Sequence, residues 1–112
     1  MSDEIIHKNN ILNLAIVNYG ADNQIDKAIE EMAELTKALL KLRHARNKPK
    51  SVFAEDYKKA FENVIEEIAD VSIMMAQMEI IFGELDVARE AGKKLARLER
   101  RIKGGEDHEA TD

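Results

Sequence analysis

The stretch AEDYKKAFENVIEEIADVSIMMAQMEIIF, residues 54–82, decides the fold. Apolar side chains recur along it in alternating steps of four and three residues, which is the spacing of one face of an α-helix. The face consists of Tyr57, Phe61, Val64, Ile68, Val71, Met75, Met78 and Phe82. A seam of this kind favours a helix bundle. After Asp70 the segment is apolar on nearly every side, so we expect a second chain to help cover it.

Three further helices are predicted, at about residues 3–18, 23–46 and 87–103. The second has an apolar stripe at helical spacing, formed by Ile25, Ala28, Ile29, Met32, Leu35, Leu39 and Leu42. Asp22 and Asp86 are the predicted N-caps of the second and fourth helices. The predicted fold is all-α, a four-helix bundle that oligomerises through its helices. We expect one domain over residues 1–103 and a flexible acidic tail over residues 104–112.

Composition excludes several classes of function. The 112 residues include no cysteine, which excludes a disulfide scaffold, a thiolate zinc site and a cysteine nucleophile. Only 4% of the residues are aromatic, so a base-stacking nucleic-acid surface is not expected. The net charge of −5 is concentrated in the last seven residues, and the nearly neutral remainder argues against stable nucleic-acid binding. No apolar run approaches the ~20 residues of a membrane span, and we expect a cytoplasmic protein.

Two pairs of acidic residues are the main candidates for chemistry. Glu31 and Glu34 lie three residues apart on the second helix, and Glu67 and Asp70 lie three residues apart on the third. Side chains at that spacing share one side of a helix, so four carboxylates converge if these helices pack antiparallel. Four carboxylates in a poorly solvated cleft need a counterion. Oxygen ligands alone favour Mg²⁺ or Mn²⁺ over iron or zinc.

The acidic pairs have two other interpretations. They form a solvated face if Lys27, Lys37 and Lys41 screen them, although the second pair adjoins the most apolar part of the chain. A carboxylate at the edge of a core requires a reason, and a metal provides one. A ferritin-like di-iron bundle requires Glu-x-x-His, whereas the corresponding positions here are Glu34 and Asp70.

A metal held by acids alone requires an anionic substrate, and a phosphate substrate also requires cations from the protein. The fourth helix offers Lys93, Lys94, Arg97, Arg100 and Arg101. The second helix and the loop after it offer Lys41, Arg43, Arg46, Lys48 and Lys50. If these residues do not contact a phosphate, each cluster is a basic face exposed to solvent. The chain has no Gly-x-x-x-x-Gly-Lys motif, so it is not a P-loop enzyme.

Taken together, these residues resemble the MazG-like all-α nucleoside triphosphate pyrophosphohydrolases. The resemblance is carried by a paired acidic motif, Glu30-Glu31-x-x-Glu34 followed on the next helix by Glu67-x-x-Asp70. The surrounding residues 24–35, 66–71 and 94–102 are similar to the second, third and closing basic helices of that family. The resemblance covers about residues 24–102, which is most of the chain.

The resemblance implies a four-helix core of the all-α NTP pyrophosphatase type, assembled as a homodimer or a dimer-based tetramer. It implies Mg²⁺-dependent cleavage of a nucleoside triphosphate between the α- and β-phosphates, which yields a monophosphate and pyrophosphate. By position, the implied metal ligands are Glu31, Glu34, Glu67 and Asp70. The other implied roles are a helper for the attacking water at Glu30 and phosphate contacts at Lys93 and Arg97. The motif does not fix the base pocket, for which the candidates are Met32, Leu35 and Asn13.

Two alternative functions stay open at this point. One is a non-catalytic helical oligomer or adaptor that kept the fold. The other is a related carboxylate-metal hydrolase that acts on another pyrophosphate compound. The intact acidic set favours an enzyme over an adaptor, but nothing in the sequence separates the two hydrolases or selects a base.

Overall fold

Four helices and no strand make up residues 2–47 and 50–104, which are the residues that the computed structural model describes. The helices are α1 (Asp3–Tyr19), α2 (Ala21–Ala45), α3 (Lys50–Phe82) and α4 (Glu84–Ile102). The all-α prediction is therefore confirmed for this part of the chain. No helix within it is both long enough and apolar enough to cross a bilayer. The predicted acidic tail falls, apart from Gly104, outside the described residues.

Glycine, and not aspartate, sets two of the helix starts. The N-cap positions of α2 and α4 are Gly20 and Gly83, whose φ angles of 89° and 113° lie in the left-handed region that favours glycine. Each glycine ends one helix and lets the next begin at once. Asp22 and Asp86 were predicted as caps, and that prediction is wrong. Both lie in the first turn of their helices, where a negative charge interacts favourably with the helix dipole.

The chain divides into two compact units. One unit runs up to Met78 and contains α1, α2 and most of α3, and the other begins at Glu79 and contains α4. In the first unit α1 packs against α2, and Leu12 of α1 is buried. In the second unit α4 is amphipathic, yet no residue of it is buried. The single domain over residues 1–103 stays a prediction.

Within the first unit, α2 and α3 run antiparallel. The Gln24 side-chain amide, near the start of α2, donates a 2.7 Å hydrogen bond to the side-chain oxygen of Gln77, near the end of α3. At the opposite end, the Arg46 guanidinium donates to the Tyr57 hydroxyl at 3.4 Å and lies 5.7 Å from the ring centre. These two contacts fix the relative register of the helices.

A subset of the buried and half-buried positions of α2 and α3 repeats in steps of three and four, and we call this subset the α2/α3 seam. On α2 they are Gln24, Ala28, Glu31, Leu35, Ala38, Leu42 and Ala45. On α3 they are Tyr57, Ala60, Val64, Glu67, Val71, Met74 and Gln77. The seam therefore includes two glutamates and two glutamines among small and medium apolar side chains.

Several large apolar residues of the predicted stripes lie outside the α2/α3 seam. Six side chains of these stripes are at least 41% exposed in the single chain: Ile29, Met32, Leu39, Phe61, Ile68 and Phe82. On α2 and on α3, two different faces have residues spaced by three and four. The face with the larger apolar side chains is not the one that packs inside this chain. Among the seam positions of α2, Ala28, Ala38 and Ala45 are buried.

Candidate metal centre

Three carboxylates from facing helices meet in the first unit. Glu31 on α2 and Glu67 on α3 occupy seam positions, and Asp70 lies one turn after Glu67. One oxygen atom from each of these three side chains lies within 4.8 Å of the other two. The register of the seam produces this cluster, because antiparallel packing places the middle of α2 opposite the second half of α3.

Glu67 has a side-chain oxygen that is shielded from solvent. Its Oε2 atom is enclosed and has no hydrogen-bond partner among the described residues. Burial raises the pKa of Glu67 above its ordinary value of 4.5, and the negative charges of Asp70 and Glu31 raise that pKa further. A buried acceptor with no donor is costly unless something else satisfies it.

A single lysine partly neutralises the α2 side of the cluster. The Lys27 ammonium lies 3.6 Å from the Glu31 carboxylate and 3.5 Å from that of Glu30. The two glutamates, Glu30 first, raise the pKa of Lys27 above its ordinary value. The Glu31 side chain is only 14% exposed, so its pair with Lys27 is partly shielded from water.

The other acids of the predicted site lie beside the cluster. Glu34 is exposed and is not one of the three that meet, but its charge contributes to the raised pKa of Glu67. Glu30 is exposed and pairs with Lys27. The structure thus brings together three of the four predicted metal ligands, and Glu34 acts electrostatically on one of them, Glu67.

The two predicted phosphate contacts belong to the second unit. Lys93 forms a 3.1 Å ion pair with Glu90 one turn earlier on α4. Arg97, one turn later, is half-buried. Their roles toward a phosphate stay predictions.

The donor set of the cluster suits a hard divalent cation. It contains carboxylate oxygens only, and no histidine of the described residues belongs to it. Mg²⁺ and Mn²⁺ prefer such ligands, whereas iron and zinc sites commonly include nitrogen or sulfur. Exposed acids often cluster without a metal. The enclosed, unsatisfied oxygen of Glu67 is the feature that a solvated acidic face lacks.

A cavity of about 370 Å³ lies farther along the same two helices, where α2 ends and α3 begins. Two small residues and five polar ones line it: Ala45 and Ala60, and Lys41, His44, Asp56, Lys59 and Asn63. Sequence reasoning considered Lys41 only as a cation and missed Asp56 and Asn63. Neither belongs to a recognisable motif, so only the register of the helices reveals them.

Comparison with known proteins adds no assignment to this geometry. No family model matches the chain, and no curated protein or solved structure matches it.

Proposed function

We propose that the chain is a Mg²⁺-dependent nucleoside triphosphate pyrophosphohydrolase of the MazG-like, all-α type. It cleaves the substrate between the α- and β-phosphates and releases a nucleoside monophosphate and pyrophosphate. One observation carries the proposal: carboxylate oxygens of Glu31, Glu67 and Asp70 lie within 4.8 Å of one another, and a further oxygen of Glu67 is enclosed without a donor. The resemblance of the paired acidic motif supplies the reaction.

In this proposal, Glu31, Glu67 and Asp70 hold the cation, and Glu34 adds negative charge beside them. Mg²⁺ bound there would neutralise phosphate charge and lower the pKa of a coordinated water. Mn²⁺ has similar ligand preferences and is expected to substitute. Glu30 is exposed next to the cluster, where its carboxylate can accept a hydrogen bond from the attacking water.

Cations of the chain complete the proposed chemistry. Phosphoryl transfer depends mainly on positioning and on charge neutralisation. We assign phosphate contacts to Lys93 and Arg97 of α4, which requires Lys93 to leave its exposed partner Glu90. Exchange of a surface ion pair for a phosphate contact costs little, because such pairs contribute only about 0–1 kcal/mol.

The proposed active form is a homodimer or a dimer-based tetramer. Each of the four helices exposes several large apolar side chains in the single chain, including Val17 (79%), Leu40 (64%), Ile73 (52%) and Leu95 (65%). Extended apolar exposure of this kind is typical of association surfaces. Most such assemblies are symmetric oligomers of one chain.

The decisive test is a screen of nucleoside triphosphates with Mg²⁺, followed by detection of monophosphate and pyrophosphate. Glu67→Gln and Asp70→Asn should each reduce turnover by more than the roughly 10–100-fold typical of residues that only support metal ligands. Both should also weaken the thermal stabilisation by Mg²⁺, which at 100 times its dissociation constant amounts to about 2.7 kcal/mol.

Glu62→Gln is the matched control, because Glu62 is an exposed acid of α3 outside the cluster. It should behave like the parent in turnover and in Mg²⁺ stabilisation. Parental turnover in Glu67→Gln would show that the acids are a solvated face. Turnover of another pyrophosphate compound, and of no nucleotide, would favour the related hydrolase instead.

A further inference from the structure

One face of α4 is apolar and exposed. Its side chains recur in steps of three and four, and none of them is buried: Ala88, Ala91, Leu95, Leu98 and Ile102. Leu95, Leu98 and Ile102 are 65%, 44% and 74% exposed. This spacing is the a/d pattern of a coiled-coil helix, whose apolar stripe is covered by a partner helix. We call these residues the α4 face.

The two edges of the α4 face differ in charge. With Leu95 at heptad position a, Lys94 and Arg101 occupy position g on one edge, and Glu99 occupies position e on the other. Glu99 forms a 2.8 Å ion pair with Lys103 on its own helix, and these side chains are 63% and 72% exposed. Such an exposed pair contributes little, so Glu99 can exchange or share this partner at small cost. Charges at positions e and g set the orientation of a partner helix.

The edge charges of α4 favour a parallel partner. In a parallel pair, each position g lies beside position e of the next heptad of the partner, five residues later. Lys94 would therefore meet Glu99 of the partner subunit, and the twofold axis would repeat this ion pair on the other edge. An antiparallel pair places the two g edges together and opposes Lys94 and Arg101 with the same residues of the second chain. Opposed like charges disfavour that arrangement.

An anionic membrane surface is the other occupant that a basic amphipathic helix suggests. The charges of this chain disfavour it. Glu99 lies at the edge of the α4 face, where lipid headgroups would lie, and the chain as a whole has a net charge of −5. A second copy of the chain instead presents both signs of charge at matching positions.

We propose that α4 pairs in parallel with α4 of a second copy of this chain, and that reciprocal ion pairs between Lys94 and Glu99 of the partner subunit specify this orientation. The apolar side chains of the α4 face supply the contact area. This inference rests on the proposed function only for the existence of a homo-oligomer, and it requires no hydrolytic activity. Lys93, which we assign to a phosphate, lies at position f on the side of α4 away from the partner. Exposed side chains of α2, such as Leu40, stay available for further contacts in the assembly.

The first test exchanges the edge charges. Lys94→Glu and Glu99→Lys each place like charges at both edges of the pair, and each should raise the dissociation constant of the oligomer about tenfold in sedimentation equilibrium. An equimolar mixture of the two variants should return to the parental constant, because every edge pair then joins opposite charges. Unchanged constants in the single variants, or no recovery in the mixture, would overturn the proposal.

Arg100→Glu is the matched control for this test. Arg100 is exposed on the same helix at position f, outside the α4 face and its edges. The substitution makes the same change of charge and should keep the parental dissociation constant. A tenfold rise in this variant as well would show that net charge, and not the edge pairs, governs association, which would overturn the proposal.

The second test measures orientation by cross-linking, since the chain has no cysteine of its own. A parallel pair in register places position 91 opposite itself, so Ala91→Cys should form a disulfide-linked dimer under mild oxidation. Ala96→Cys, at an exposed alanine of position b, should not. Absence of a link in Ala91→Cys would overturn the parallel pair. So would linkage of Ala91→Cys only to a second variant, Leu98→Cys, because that result indicates an antiparallel pair.

A third test examines the membrane as occupant. The parent should stay in the supernatant when it is sedimented with vesicles of phosphatidylcholine alone or mixed with phosphatidylglycerol. A parent that pellets with the anionic vesicles, while Leu95→Asp does not, would assign the α4 face to a lipid surface and overturn the helix pair. None of these measurements involves turnover, so failure of the nucleotide screen and failure of the helix pair are distinguishable.

Discussion

The α2/α3 seam and the outer apolar face of α2 distribute polarity in opposite ways. The seam is buried or half-buried, yet it contains Gln24, Glu31 and Glu67. The outer face consists of Ile29, Met32, Leu39 and Leu40, and these side chains are 41–64% exposed in the single chain. The contrast shows that the face that packs within the single chain is not the most apolar face of α2.

Two of the seam residues nearest Glu31 on α2 are small. Ala28 and Ala38 are 2% and 1% exposed. Carboxylate oxygens of Glu31, Glu67 and Asp70, which come from both helices, lie within 4.8 Å of one another. The large side chains of the outer face are exposed in the single chain and are available to another surface.

The largest effect is expected from a charge in the seam. Met74 is 6% exposed, so Met74→Asp places an unpaired carboxylate in a dry environment. We expect a loss of more than about 3 kcal/mol of unfolding free energy, measured by urea denaturation. Ser72→Asp adds the same charge at an exposed position of α3 and should cost far less. Equal losses in the two variants would show that the seam is not a core.

A charge on the outer face should affect assembly instead of folding. Leu40 is 64% exposed, so Leu40→Asp should change the unfolding free energy of the isolated chain by no more than about 0.5 kcal/mol. Sedimentation should show that it dissociates the oligomer, whereas Asn10→Asp at an exposed position of α1 should not. A parent that sediments as a stable monomer would contradict the proposed assembly.

A smaller effect is expected from the buried amide pair. Gln24→Leu or Gln77→Leu alone leaves one buried amide without its 2.7 Å partner and should cost about 1–3 kcal/mol. The double variant removes both amides and should recover most of the loss, which a double-mutant cycle in urea measures. Additive losses would show that the two amides contribute independently.

The smallest effect concerns pH. Because the pKa of Glu67 is raised, the folded state binds its proton more tightly than the unfolded state does. That contribution to stability is complete below about pH 4.5 and is lost as the pH rises through the raised pKa. In EDTA, the melting temperature of the parent should therefore fall relative to that of Glu67→Gln over this interval. A constant difference between the two proteins would contradict the shift.

The sequence predicted the positions of the helices and the meeting of acidic side chains better than it predicted which helix faces pack. Gly20, Pro49 and Gly83 interrupt the helical pattern of the sequence, so four helices were predictable, although the aspartates that follow the two glycines were mistaken for caps. The acid spacing predicted that four carboxylates would converge; three of them meet, and Glu34 is not among those three. The seam was harder to find, because hydrophobic periodicity gives most weight to large side chains such as Ile29 and Ile68, which are exposed.

Other features depended on contacts between helices and carried no local signal. Asp56 and Asn63 line a cavity only because α2 lies opposite them. Gln24 and Gln77 are 53 residues apart, and nothing in the sequence pairs them. Residues of this kind become interpretable only when the register is known.

The glutamine pair also has a consequence for protein design. Gln24 precedes Glu31 by seven residues and Gln77 follows Asp70 by seven, so the amides and the acids share one register. A slip of α2 by one heptad would place Glu31 opposite Gln77 and Asp70 opposite Ala38, and it would separate the acids. A design that transfers the carboxylate cluster to another antiparallel helix pair should therefore include both glutamines. Their hydrogen bond favours the helix register in which the acids meet.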